Sequence, residues 1–476
     1  MSDITQTHPD FQEAEASWDE MEAFCSGEKA VKDAGKKYLP PLAGQSIEAY
    51  NSYVMRAFFY NAAGRTVTSL VGSVFRKKPT FVVPEKMQYL LTDATGKGTS
   101  LAEVCIKLVT EQMITARSGL LVDREGTGLP YLVVYDADDL RNWSDEFIVL
   151  EEDFLEADPK DKYKLVEKEQ YRELTYDDNG NYIVNIYREI KQKGSKASWQ
   201  IAETIRPTRA GRPMTYIPFN VITPDGLDWS IVKEPLRDLV DIQHKHYMLS
   251  ADYANALHIL GHPTPYVTGV EKTDGMAFNV GGGEAWVLPD AQSKIGFLEF
   301  TGQGLQPLES GLTKLEGMMG ALGARIITPA KTTNGSADTA EGVKSREAVA
   351  MSVLSSIITS VETAVTNALV AIADWEQLPT DNIKVVLNRD LIQTPMDANM
   401  LNALTTSLQK GTISPELFYS RLEDAGMTPD DSSFELEQQR IADYVEMVTA
   451  SQLPPTQPAA QQPQTQETNQ NIQQNA

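Results

Sequence analysis

Residues 341–376 contain no proline, and their apolar side chains Ala350, Leu354, Ile357, Val361, Val365, Ala368 and Ile372 recur at helical spacing. The stretch is expected to form one helix about 50 Å long. A helix of this kind is stabilised by packing along its apolar stripe far more than by propensity, so it needs partners over its whole length. A second helical pattern, 305–327, lies just upstream and carries Gly311, Gly317, Gly320 and Gly323. Each glycine costs about 1 kcal/mol relative to Ala inside a helix, and close approach of neighbouring backbones is the usual compensation. The two patterns are separated by 328–340, a polar segment with neither periodicity nor the composition to bury itself, which reads as a mobile loop.

Another helix is expected over 235–261, with Leu236, Leu239, Ile242, Leu249, Tyr253, Leu257 and Leu260 on or near one side and a stop at Gly261 and Pro263. Between it and residue 305 lies a glycine-rich β insertion containing Gly281-Gly282-Gly283 and Trp286 to Pro289. Two helices around a small β segment suggest an antiparallel pair with a protrusion at its tip. Toward the N-terminus, 9–27 reads as an amphipathic helix and 47–78 as one longer helix whose last turn is closed by Arg76, Lys77 and Lys78 before Pro79. Ser100 and Glu103 match a capping box, opening a helix expected to end at Gly119. Strands are expected at 119–123, 131–135, 199–205 and 216–222. A hairpin at 167–176 and 182–191 turns at Asp178-Asn179-Gly180-Asn181, while acidic 145–161 reads as a solvated connection. After the long helix come a short strand at 383–387, helices at 397–408, 414–425 and 435–450, and a Gln/Pro-rich tail, 451–476, expected to be disordered. The fold class is α+β.

The formal charge of -24 disfavours a conventional nucleic-acid binder or a protein drawn to anionic membranes. Cys25 and Cys105 make no disulfide framework and lack metal-ligand spacing, which points to a reducing compartment. No signal peptide is apparent at the N-terminus, and the most apolar stretch, 343–373, is interrupted by Arg346, Glu347 and Glu362, so a soluble chain is expected. Phosphate-loop patterns fail, since Gly35-Lys36 is followed by Lys37 and Gly96-Lys97 by Gly98. His258 and His262 are four apart, but Ile259 stands where a zinc protease needs Glu, and His244 and His246 point to different sides of a helix. Neither a catalytic set nor a cofactor or metal site is expected, and an enzyme is disfavoured.

Several segments carry a resemblance. They are Arg56-Ala-Phe-Phe-Tyr-Asn61, Val74-Phe-Arg-Lys-Lys-Pro79, Ala116-Arg-Ser-Gly-Leu-Leu-Val-Asp123, Pro235-Leu-Arg-Asp-Leu239, Gly261-His-Pro-Thr-Pro265 and Gly323-Ala-Arg-Ile-Ile327 followed by Ala340-Glu341. In this order, joined to the succession of helix, β insertion, helix, loop and long helix, the chain resembles the portal proteins of tailed bacteriophages over about 18–450. The resemblance implies a wing at 1–234, stem helices at 235–261 and 305–327, and a β-rich clip at 262–304. It further implies a tunnel loop at 328–340, a spine helix and wing return at 341–394, and a helical crown at 395–450. At this length the clip is expected to have its strands completed by a neighbouring subunit.

Portal subunits form dodecameric rings around a channel for double-stranded DNA, which passes without sequence specificity. The implied partners are further copies of the chain, the terminase large subunit, major capsid and scaffolding proteins, and head-completion or tail adaptor proteins. The implied location is one vertex of the virion, with assembly in the host cytoplasm. Candidate channel-lining residues are Lys314, Arg325, Lys331, Thr332, Asn334 and Ser336, and the candidates for close subunit packing are Gly311, Gly317, Gly320 and Gly323. An acidic conduit suits a polymer with one charge per about 1.7 Å that must slide rather than bind. The alternatives are a capsid or scaffolding protein without a DNA channel, and a nucleic-acid enzyme, which would need clustered carboxylates for a metal.

Overall fold

The computed structural model describes residues 3–158, 160–190, 198–261, 264–268, 294–298, 304–323, 340–389, 391, 398–429 and 432–452. In chain order, α1 (Pro9–Ser26), α2 (Glu28–Asp33), α3 (Ile47–Arg56) and α4 (Ala62–Val74) precede β1 (Thr80–Val82) and α5 (Leu101–Ile114). A β region follows: β2 (Ser118–Asp123), β3 (Tyr131–Tyr135), β4 (Leu140–Trp143), β5 (Phe147–Asp158), β6 (Asp161–Tyr176), β7 (Tyr182–Ile190), β8 (Ser198–Ile205), β9 (Thr208–Arg209), β10 (Arg212–Pro213) and β11 (Phe219–Ile222). Then come α6 (Arg237–Gly261), β12 (Thr264–Thr268), β13 (Lys294–Leu298), α7 (Leu305–Leu322), α8 (Ala340–Trp375) and β14 (Lys384–Val386). The C-terminal unit, Ile392–Ala476, contains α9 (Ala398–Gln409), α10 (Pro415–Asp424) and α11 (Phe434–Gln452). The chain mixes helix and sheet, as expected.

Within the larger unit, Met1–Leu391, α8 is the organising element. Leu354, Ile357, Ile358, Val361, Val365, Leu369 and Ile372 are all buried against α5, the three-stranded sheet β11-β2-β3 and β14. The window Ser352–Trp375 is long and apolar enough to cross a membrane, yet here it is the core helix of a folded body. Glu362 fixes the returning chain, accepting from the Leu387 amide (2.7 Å) and from the Arg389 guanidinium (2.5 Å). That return lets β14 pair antiparallel with β1, a strand not foreseen from the sequence.

The segment 47–78, read as one helix, is two. Asn61 caps α4 by accepting from the Gly64 amide (3.1 Å), and the break from Ala57 to Asn61 is held by α6. Ser250 donates to the Phe58 carbonyl (2.6 Å), and Gln243 Oε1 accepts from the Ala63 amide (2.9 Å), so polar groups released by the break find partners. Helix α4 ends at Val74, leaving Arg76, Lys77 and Lys78 beyond its C-cap rather than in its last turn.

The Ser100–Glu103 capping box forms as expected, but its helix stops at Ile114, ahead of Gly119. Ala116 then takes a φ of 58°, and Arg117 is buried with its guanidinium 4.3 Å from the Trp143 ring centroid and 5.3 Å from that of Trp229. Gly119 lies inside β2, where a Cβ would meet Phe219 Cζ at 2.4 Å. The Ala116–Asp123 motif is therefore a packed joint between helix and sheet.

Acidic 145–161, expected to be a connection, is largely β5. Its Ile148 and Leu150 face the core, Val149 is buried on the opposite face, and further out Glu156 and Asp158 pair with Lys168 and Lys164 across the ladder. Strands β4 to β8 form one antiparallel meander. The β6–β7 hairpin forms where expected, with Gly180 at φ 76° and Asp177 Oδ1 accepting from the Asn179 and Asn181 amides (2.9 Å each).

In the C-terminal unit, Ser414 caps α10 and Gly411 turns the chain after α9 at φ 68°. The tail from 453 onward, the Gly281–Gly283 and Trp286–Pro289 segments and the loop 328–339 lie outside the described residues.

Candidate assembly and channel surface

Helices α6 and α7 pack on each other in an antiparallel register given by three contacts. Leu249 Cδ2 would lie 2.9 Å from a Cβ at Gly311, His246 Nε2 meets Glu316 Oε1 at 3.3 Å, and Leu239 Cδ2 would lie 3.3 Å from a Cβ at Gly323. As one residue number falls, the other rises. The expected antiparallel pair is present, and its outer end continues into the antiparallel strands β12 and β13, which pair with each other.

One end of α6 is built deeply into the body. His244 places Nδ1 2.6 Å from Glu20 Oε1 and Nε2 2.8 Å from the Tyr38 carbonyl, while Arg237 reaches Glu20 Oε2 at 2.5 Å. Glu20 titrates below the usual Glu range, mainly because of the hydrogen bond from His244, against a burial penalty and with help from Arg237. Burial pulls His244 down, but the Glu20 bond and the Tyr38 carbonyl outweigh it, so its pKa is raised. His246, two residues on, faces α7 and has a lowered pKa because burial outweighs the pull of Glu316. The other end of α6 is different. Tyr53 Oη donates to Asp252 (2.6 Å), and beyond Ala251 no residue of α6 is buried.

Helix α7 depends on α6 for its cover. Met319 is the one buried residue within its eighteen, and Lys314, Gly317, Met318 and Leu322 lie exposed at helical spacing. Gly311 and Gly323 make their close contacts inside the chain, Gly323 with a Cβ position 2.7 Å from Thr66 Oγ1. Nothing within 4 Å would meet a Cβ at Gly317 or Gly320. Of the proposed channel residues, Lys314 is exposed and has no ion-pair partner among the described residues, whereas Arg325, Lys331, Thr332, Asn334 and Ser336 lie outside them.

The histidine contacts were not anticipated as links between elements. The signal for the His246 contact is the polar row Gln243, His246 and Ser250, spaced at helical intervals on the buried face of α6. Among the described residues no group of three His, Cys, Asp or Glu side chains is arranged to hold a metal ion.

A family model described as a domain of unknown function (DUF4055) matches residues 235–376, from just before α6 to just after α8. No curated protein matches the chain. Among solved structures, the chain is similar to one from the virion of a native gene transfer agent particle, at 14% identity and a TM-score of 0.36, covering 84% of this chain and 99% of that one. It is similar to a chain from the neck of the empty particle computed with C6 symmetry, at 14% identity and a TM-score of 0.38, covering 82% and 96%. A chain from the neck of the native particle computed with C12 symmetry gives 13% identity, a TM-score of 0.36 and coverage of 84% and 99%.

Proposed function

We propose that this chain is a portal subunit: a structural, non-catalytic protein that assembles as a dodecameric ring at one vertex of a phage-type head and passes double-stranded DNA in and out. The observation that carries this reading is the α6–α7 pair. One helix is anchored in the body through Glu20, Tyr38 and the α3–α4 break, while the other offers an exposed stripe of small and apolar residues. A stripe of that kind, with Gly317 and Gly320 open, lets the backbone of a second copy approach closely and repays the helix cost of the glycines. In a ring, α6 and α7 form the stem, β12 and β13 belong to the clip, α8 is the spine and α9 to α11 form the crown. The terminase large subunit and the head-completion or tail adaptor proteins dock on the ring, and capsid and scaffolding proteins surround it. The net charge of -24 keeps DNA from binding to the wall, so that each phosphate passes with little friction.

Negative-stain electron microscopy of the purified protein, with its mass in solution, tests the reading. Rings with a central hole and a dodecamer's mass are expected. Closed shells would favour a capsid or scaffolding protein, and a monomer at every concentration would overturn the ring.

A further inference from the structure

The β5–β6 ribbon has two unlike faces. From Asp153 to Asp158 on β5 and Asp161 to Glu169 on β6 the ribbon is only two strands wide, because pairing with β7 begins at Gln170. A two-stranded ribbon is marginal in water without a covering surface. On one face Glu156 and Asp158 are paired with Lys168 and Lys164, and the Arg188 guanidinium lies 5.1 Å from the Phe154 ring centroid. The opposite face is given by the register, in which Leu155 sits across from Glu167 and Ala157 across from Leu165. On it Leu155 is 63% exposed, Leu165 59% and, by strand alternation, Tyr163 84%. Asp153, Glu167 and Glu169 share this face, and none has an ion-pair partner among the described residues. The face is apolar at its tip and acidic at its base.

A complementary surface lies elsewhere on the same unit, at the α3–α4 break. Met55 is 71% exposed, Phe58 59% and Tyr60 41%, and Arg56 and Arg65 flank them without ion-pair partners among the described residues. We propose that the open face of the β5–β6 ribbon docks on the α3–α4 break of a second copy of this chain. Leu155, Tyr163 and Leu165 cover Met55 and Phe58, and Glu167 and Glu169 meet Arg56 and Arg65. The two patches differ, so the contact is heterologous and runs head to tail, the type of contact that closes into rings. Charge fixes the pairing: in a chain this acidic, an acidic ribbon is repelled by most of the surface of another copy and drawn to an arginine-flanked one. This inference rests on the ring reading above and adds a second contact to the one at α7.

The test uses the full chain with Leu165→Cys and Phe58→Cys together, since the native Cys105 is buried and Cys25 is half-buried. Oxidation of the assembled protein is expected to give a ladder of covalent multimers on a non-reducing gel. Each single variant should stop at the dimer or below. A Leu155→Glu/Leu165→Glu double variant should raise the concentration for half-assembly by roughly tenfold or more while leaving the melting temperature of the dispersed chain unchanged. A Glu167→Arg/Glu169→Arg variant should be impaired in the same way and rescued by Arg56→Glu/Arg65→Glu. Rings of the double-cysteine variant that give no ladder, together with normal assembly of the Leu155→Glu/Leu165→Glu variant, would overturn ribbon docking and leave the ring intact. A wild-type protein that never forms rings would overturn the ring reading and this inference with it.

Discussion

Helices α7 and α8 are close in composition and opposite in circumstance. Both are rich in small and apolar residues, and both show helical periodicity. From Leu354 onward α8 buries its stripe against a helix and two sheets, whereas α7 buries Met319 and leaves Met318 and Leu322 exposed. Periodicity reports that a helix has an apolar side; it does not say whether the cover for that side comes from the same chain. For α8 the cover is internal. For α7 we propose that a second copy supplies it.

The largest effect is expected where the internal cover is complete. Ile357→Ala should cost about 2–5 kcal/mol of folding stability, read from the urea midpoint, because it opens a cavity in a fully packed stripe. The opposite behaviour is expected for Met318→Asp/Leu322→Asp. The dispersed chain should change by no more than about 0.5 kcal/mol, as for exposed substitutions generally. Assembly, read from mass against concentration, should weaken strongly, by roughly a hundredfold if these two side chains are central to the contact. Loss of folding stability without loss of assembly would break the comparison.

The glycines of α7 sharpen it at lower energy. Gly317 faces open space, so Gly317→Ala should stabilise the dispersed chain by about 0.5–1 kcal/mol through helix propensity alone. Gly311→Ala should gain less, because its new Cβ would sit 2.9 Å from Leu249 Cδ2 and the leucine must shift. In assembled protein the ranking should reverse if a neighbouring backbone lies against Gly317. Thermal melts at low and high protein concentration separate the two cases.

Much of this architecture was legible because it depended on local signals. The helix spanning Ala340–Trp375, the capping box at Ser100 and the hairpin at Gly180 follow from periodicity, a side-chain cap and a residue able to take positive φ. The failures share a cause, which is tertiary compensation invisible in the local pattern. The break between α3 and α4 exists because Ser250 and Gln243, nearly two hundred residues away in sequence, take up its polar groups. Acidic β5 is a strand because lysines on β6 face its carboxylates. Of the candidate channel surface, the helix pair and its glycines were legible. That Gly311 and Gly323 are occupied by Leu249 and Thr66 was not, since helical spacing cannot tell which face meets which neighbour.

The smallest expected effect tests the α6–α7 contact by pH. His244 and His246 stand two residues apart on α6 and face different partners, Glu20 of α1 and Glu316 of α7. His244 has a raised pKa, so its contribution is fully present below the unfolded value near 6.5 and is lost as pH rises through its folded value. Its partner Glu20, with a lowered pKa, contributes above the unfolded value near 4.5 and fails only as pH falls through its folded value. His246 has the opposite sign to His244. Its folded pKa lies below 6.5, so the unfolded chain binds a proton first and stability is lost as pH falls from about 6.5 through the folded value. Between roughly pH 7 and pH 5, acid should therefore loosen the face of α6 that meets α7 while the face that meets α1 tightens. Hydrogen exchange at stepped pH reads the two separately: amides of α7 should lose protection in acid, those of α1 should not, and His246→Gln should abolish the α7 response. Equal loss in both helices would mean that α7 is held as firmly as the rest of the body, and that its exposed stripe is not the mark of a helix awaiting a partner.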